Sequence, residues 1–209
     1  MSDRNNDLTT WDSTGAAATR KLWTRSHGKT VYQSPWLRLD TFDALAPTGA
    51  PAQYGVVHFV NRAIGVLPLF DDGTVLIVGQ ARFAVDAYSW EIPEGGVPNG
   101  EDLLDGARRE LREEAGLEAA EWTQVLQLDM SNSVTDEEAT LYLATGLTPA
   151  AAEPDDTEMF ECVRVPFKDL LDAVIKGQVR DSLTVVTVLR VYHMAVTGTL
   201  SSSLCAAIL

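Results

Sequence analysis

Residues 95 to 117 read GGVPNGEDLLDGARRELREEAGL, and a glycine-rich loop running into this helix leaves the chain few ways to fold. Leu104, Ala107, Leu111 and Ala115 recur at i, i+3, i+7 and i+11, the repeat of one buried helical stripe. Asn99 can cap the start, and Glu101 and Asp102 sit favourably against the dipole of the first turn. Gly116 ends the helix as a C-terminal glycine does. Glu110, Glu113 and Glu114 share another face, within an arc of about 100°. Three carboxylates so close repel one another unless something cationic sits among them. Arg109 and Arg112 can neutralise them in part. A hard divalent cation does so better, because it takes oxygen ligands. Glu101 lies off that arc and is placed to orient Arg109 or the loop. A solvated acidic face is the commoner meaning of a charge run. Here, however, the helix follows Gly95-Gly96-Val97-Pro98-Asn99-Gly100, where bare backbone can approach a ligand.

The rest of the chain reads as strands around this unit. Residues 30–44 alternate and are rich in β formers, a strand or a bent pair. Strands are expected over residues 54–60, 63–70 and 74–80, the last two joined at Asp71-Asp72-Gly73, a hairpin signal. Further strands are expected over residues 122–130, 139–147 and 159–166, and helices over residues 167–176 and 181–195. This order places the chain in the α/β (α+β) class, a mixed sheet between helices in an α/β/α sandwich, with antiparallel strands before it. The expected organisation is a tail over residues 1–20, a β extension over 21–60, the main domain over 61–200, and a small apolar tail over 201–209.

Composition narrows the partners. The chain has 209 residues, 45% of them hydrophobic, and a formal net charge of -14. That is one domain's worth of core with a small extension. So acidic a chain does not suit a nucleic-acid duplex, which wants a basic face. It does suit a nucleotide, because a bound metal ion supplies local positive charge. Two cysteines, Cys162 and Cys205, make no disulfide framework. The sequence has no apolar run of membrane-helix length, and its polar start lacks a signal-peptide core, so no membrane partner and a cytoplasmic location are expected.

The spacing G-x5-E-x7-R-E-U-x-E-E-x-G-U, with U a bulky aliphatic residue, is met at Gly95, Glu101, Arg109, Glu110, Leu111, Glu113, Glu114, Gly116 and Leu117. At about 5–7% usage per residue type, chance odds are on the order of one in several million. On these residues the chain resembles the Nudix hydrolases, which cleave nucleoside diphosphates linked to a further group. The resemblance implies the same sandwich fold and a Mg2+ cofactor, with Mn2+ an alternative. It implies Glu110 and Glu114 as metal ligands, and Glu113 as a ligand or a group that positions water. The Glu94 carbonyl is a plausible backbone ligand, and Arg109 a partner for Glu101 or Glu113.

A second resemblance, over residues 31–196, is to the ADP-ribose and nucleotide-sugar pyrophosphatase branch. It rests on Gln80-Ala-Arg-Phe, Trp90-Glu-Ile-Pro-Glu-Gly-Gly, Thr135-Asp-Glu and Arg180-Asp-Ser-Leu-Thr. The branch implies a loop acid beyond the helix that acts on the nucleophilic water, and Glu158 is the choice here. Arg82 can contact a phosphate or pair with Glu91, Gly96 keeps the loop backbone open, and Arg82, Glu91, Gly96 and Trp36 are the expected substrate-binding residues. Trp36, with Phe83 and Trp90, can stack on a base. The branch also implies homodimers whose N-terminal strands, here residues 29–60, complete the partner's site. The loop Met130-Ser-Asn-Ser-Val-Thr-Asp-Glu lacks the proline usual in the ADP-ribose branch. The expected substrate is therefore ADP-ribose, with GDP-mannose or another nucleoside diphosphate derivative as the alternative. A non-catalytic sensor of this fold would be expected to show eroded glutamates, and all are present.

Overall fold

The computed structural model describes residues 21–151 and 161–209. Its contacts divide the chain into one unit ending at His58 and another beginning at Phe59. In the first unit, β1 (Thr24–Arg25), β2 (Lys29–Gln33), β3 (Leu37–Leu45) and β4 (Pro51–Phe59) form one sheet. β3 pairs with each of the others, antiparallel to β1 and β2. Val31, Tyr32, Trp36, Leu45 and Tyr54 are exposed on it.

The second unit holds two sheets. β5 (Arg62–Pro68), β8 (Glu94–Val97), β9 (Leu117–Asp129) and β10 (Glu138–Pro149) form the first, in the order β8-β5-β10-β9. β5 and β10 run parallel and the other pairs antiparallel, so this sheet is mixed. β6 (Thr74–Arg82), β7 (Ala87–Glu91) and β11 (Glu161–Pro166) form the second, antiparallel, in the order β11-β6-β7. The Asp71-Asp72-Gly73 turn joins β5 to β6, and Leu69 bridges Val75 across it.

Among the described residues, four α-helices complete the unit: α1 (Leu103–Ala115), α2 (Phe167–Ile175), α3 (Ser182–Val196) and α4 (Ser202–Ile208). The mixed sheet is covered on both faces, and its central strands are accordingly near-continuous apolar runs. Ile64, Val66, Tyr142 and Ala144 pack with Ala107 and Leu111 of α1. Leu67, Leu141 and Leu143 pack with Phe167, Leu170, Leu183, Val188 and Val191 of α2 and α3. Alternate residues of one strand thus serve opposite layers, which is the expected α/β/α sandwich.

Three local readings need correction. α1 starts at Leu103, and its cap is Asp102, which accepts from the backbone N–H groups of Leu104 at 2.9 Å and Asp105 at 3.3 Å. Asn99 instead donates to the Val60 carbonyl at 3.0 Å. Part of the glycine-rich loop is strand β8, because β5 offers it an edge to pair with. Residues 201–209, where the sequence suggests a tail, contain α4, capped by Ser201. Its apolar residues have a place to go: Ile208 is buried in the core shared with α2 and α3, and Leu204 and Cys205 pack against it. Ile208→Ala is expected to lower unfolding free energy by about 2–4 kcal/mol, measured by urea denaturation; a loss near zero would mean that α4 does not dock.

Candidate active site

β8 and α1 build the centre of the site. Glu110 and Glu114 lie on the helix face that meets β8, and both are buried. The backbone N–H of Glu94 donates to Glu114 Oε2 at 3.1 Å. A Cβ on Gly95 would overlap the Glu110 carboxylate, so only a glycine lets that carboxylate rest against the strand. Gly116, at φ 60°, closes the helix in the left-handed conformation, its N–H bonded back to Arg112 and Leu111 carbonyls.

Arg109 ties the helix to its surroundings. It donates to Glu110 Oε1 at 2.7 Å, to Glu113 Oε2 at 3.0 Å and to the Gly96 carbonyl at 3.2 Å. Glu101 Oε1 stands 3.6 Å from its Nε, and Arg62 on β5 donates to the Glu101 carbonyl at 2.6 Å. Arg109 therefore bridges two glutamates of α1 and pins them to β8.

A second charged group sits at the junction of β7 and β8. Arg82 engages both Glu91 oxygens, at 2.6 Å from Nη2 and 3.0 Å from Nε, and donates to Glu94 Oε1 at 2.6 Å. Gln80 adds a bond to Glu91 at 3.2 Å. Glu91 is 2% exposed, and a carboxylate so buried needs such donors. Of the two roles expected for Arg82, pairing with Glu91 is the one seen without substrate. Glu94 differs from Glu91: its Oε2 is buried with no hydrogen-bond partner. Burial, with Asp181 and Glu91 nearby, pushes its carboxyl well above the usual range, against the pull of Arg82. Asp181 caps α3 by accepting from the Thr184 N–H at 2.7 Å, and Thr184 Oγ1 accepts from the Ile92 N–H at 2.9 Å. One oxygen each of Glu91, Glu94 and Asp181 lies within 4.8 Å of the others.

Sequence reasoning missed Asp181 as a member of this site and Arg62 as a tether. Asp181-Ser-Leu-Thr signals a helix cap, but nothing local says that the cap lies beside Glu94. Trp36 lies in the first unit, exposed in the turn between β2 and β3. Glu158 lies outside the described residues. Glu137, in the loop before β10, has its carboxyl raised by burial.

Buried carboxylates, a bare glycine backbone and an arginine brace form a hard-oxygen site of the kind that takes divalent cations. Helix, loop and carboxylates together make a site suited to a hydrolase that works with a divalent cation. The NUDIX domain model matches residues 60–184, and the chain belongs to the Nudix hydrolase family. It is 32% identical over 146 residues to an ADP-ribose pyrophosphatase of Mycobacterium tuberculosis, covering 68% of this chain and 69% of that one. It is 30% identical over 156 residues to an ADP-ribose pyrophosphatase of Bacillus subtilis, covering 74% and 84%. The crystal structure of an ADP compounds hydrolase superposes with a TM-score of 0.76 at 22% identity, over 86% of this chain and 97% of that one; at that identity the likeness concerns the fold.

Gly95→Ala is expected to push the Glu110 carboxylate off β8 and lower kcat/KM about 100-fold with α1 intact by circular dichroism. Unchanged kinetics would separate Glu110 from the chemistry.

Proposed function

We propose that this protein hydrolyses the diphosphate of ADP-ribose, releasing AMP and ribose 5-phosphate. The observation that carries the reading is the seating of Glu110 and Glu114 on the Glu94-Gly95 backbone. The names of the two relatives above supply the substrate. Glu110, Glu114 and the Glu94 carbonyl would hold Mg2+, or Mn2+ in its place. A bound ion of this kind neutralises phosphate charge and acidifies the attacking water. In this reading Glu113 and Glu158 orient that water and take its proton as it attacks phosphorus. Arg109 keeps Glu110 and Glu113 in place through the bonds described above. Arg82, held by Glu91, is the cation nearest Glu94 and is available to a phosphate oxygen. Gly96 presents backbone without a side chain to the substrate. Phosphoryl transfer asks mainly for such positioning and charge neutralisation.

One observation keeps a second substrate in view. The loop at residues 131–137 lacks the proline that marks the ADP-ribose branch, and GDP-mannose or another nucleoside diphosphate derivative is the alternative reading. The test is phosphatase-coupled hydrolysis with Mg2+ over ADP-ribose, GDP-mannose, UDP-glucose, dinucleoside polyphosphates, NADH and coenzyme A. ADP-ribose is expected to give the highest kcat/KM. Silence on ADP-ribose with turnover of another compound would move specificity to that loop. In the same assay Glu114→Gln is expected to lower turnover by about 100-fold or more, with the fold intact. Glu158→Gln is expected to lower kcat far more than it raises KM.

We further propose that the chain works in the cytoplasm as a homodimer through its first unit. Val31, Tyr32, Trp36, Leu45 and Tyr54 are exposed there, and covering such apolar side chains with a second copy would be favourable. Among the described residues, no helix is long and apolar enough to cross a membrane. Light scattering after size exclusion should give twice the chain mass. A monomer at micromolar concentration would remove the proposal.

A further inference from the structure

Glu91, Glu94 and Asp181 come from three elements, the end of β7, the start of β8 and the cap of α3. Their nearest oxygens lie within 4.8 Å of one another. An ion that sits about 2.0–2.6 Å from its oxygen ligands fits among atoms so spaced. Arg82 is the cation that acts on this group, bonded to Glu91 through Nε and Nη2 and to Glu94 Oε1 through Nη2. Three carboxyl groups face one guanidinium in a largely buried place, where holding all three as carboxylates is costly.

Glu94 Oε2 is buried and has no hydrogen-bond partner, although the side chain as a whole is only 12% exposed. Buried carboxylate oxygens are normally satisfied. Arg82 takes Oε1 and leaves Oε2 over. The carboxylates around it are also held in place. Thr184 fixes the start of α3 to Ile92, between Glu91 and Glu94. Asp181 accepts the Thr184 N–H with Oδ2. The bonds of Glu91 to Arg82 and Gln80 hold its side chain still, and each carboxylate oxygen has a second lone pair for a ligand.

We propose that Glu91, Glu94 and Asp181 bind a divalent cation, with Glu94 Oε2 as its buried ligand, separate from the ion assigned to Glu110 and Glu114. Glu94 joins the two places: its side chain meets Asp181, and its backbone N–H meets Glu114. The ion fastens the first turn of α3 to the β7–β8 junction. It favours the charged form of all three acids and holds Glu94 in place, so that its main chain stays set for the neighbouring ion. The inference does not depend on which nucleotide is hydrolysed.

Mn2+ alone is the probe, titrated into the purified chain and followed by the paramagnetic resonance of the free ion. The Glu110→Gln, Glu114→Gln double variant is expected still to take up one Mn2+ per chain. Adding Asp181→Asn, which keeps a good cap, should raise the half-saturating concentration about tenfold or more. Asp181→Asn alone, in the otherwise unaltered chain, should lower uptake by one ion. It should also reduce the rise in Tm that Mn2+ gives, and this arm does not need the double variant to fold. No uptake by a folded double variant overturns the proposal, as does uptake indifferent to Asp181→Asn in either background. A chain that fails on ADP-ribose but shows the expected uptake would refute the substrate reading and leave this site standing.

Discussion

Two carboxylates of α1 lie on the bare backbone of β8, and the rest of the site follows from holding them there. Glu110 rests where Gly95 has no Cβ, and Glu114 accepts the Glu94 N–H. Carboxylates this buried keep their charge only with donors or a cation at hand. The placement therefore fixes α1 in both rotation and height. Leu111 and Ala107 are fully buried against Ile64 and Val66 of β5. Burying a leucine of this kind contributes about 2–3 kcal/mol. Asp102 and Gly116 fix where the helix begins and ends, so the phase that buries Leu111 is also the phase that turns Glu110 and Glu114 to the strand.

Arginines supply the cations that the fold itself provides. Arg109 bridges Glu110 and Glu113 and reaches the Gly96 carbonyl, while Arg62 holds the Glu101 carbonyl from the neighbouring strand. Arg82 does the same work at the other side of β8, on Glu91 and Glu94. Planar guanidinium groups suit this because one side chain can satisfy several oxygens in fixed directions. The acids outnumber the arginines around β8, and that imbalance is what makes the place receptive to hard divalent ions.

The sandwich gives each layer a separate task. α1, on one face of the mixed sheet, brings Glu110 and Glu114. α3, packed in the core of the other face, brings Asp181 from the opposite direction. The two meet at Glu94 because β8 is the edge strand of its sheet and only two residues separate it from the end of β7.

The sequence by itself determined helix α1, its acidic face, its C-terminal glycine, the alternation of strands and terminal helices, and with these the family. Those features are local: a helical period, a fixed spacing and a turn residue are written into neighbouring positions. The family resemblance also implied Arg109 as a partner for Glu101 or Glu113. Only the tertiary structure decided the neighbours across elements. It chose Asp102 over Asn99 as the cap, since Asn99 is drawn off to Val60. It turned part of the glycine loop into a strand because β5 had an edge to offer, and folded the last residues into α4 over the core. It set Asp181, far along the chain, beside Glu91 and Glu94. Contacts of that kind depend on how layers pack, and packing joins positions that no spacing along the chain relates.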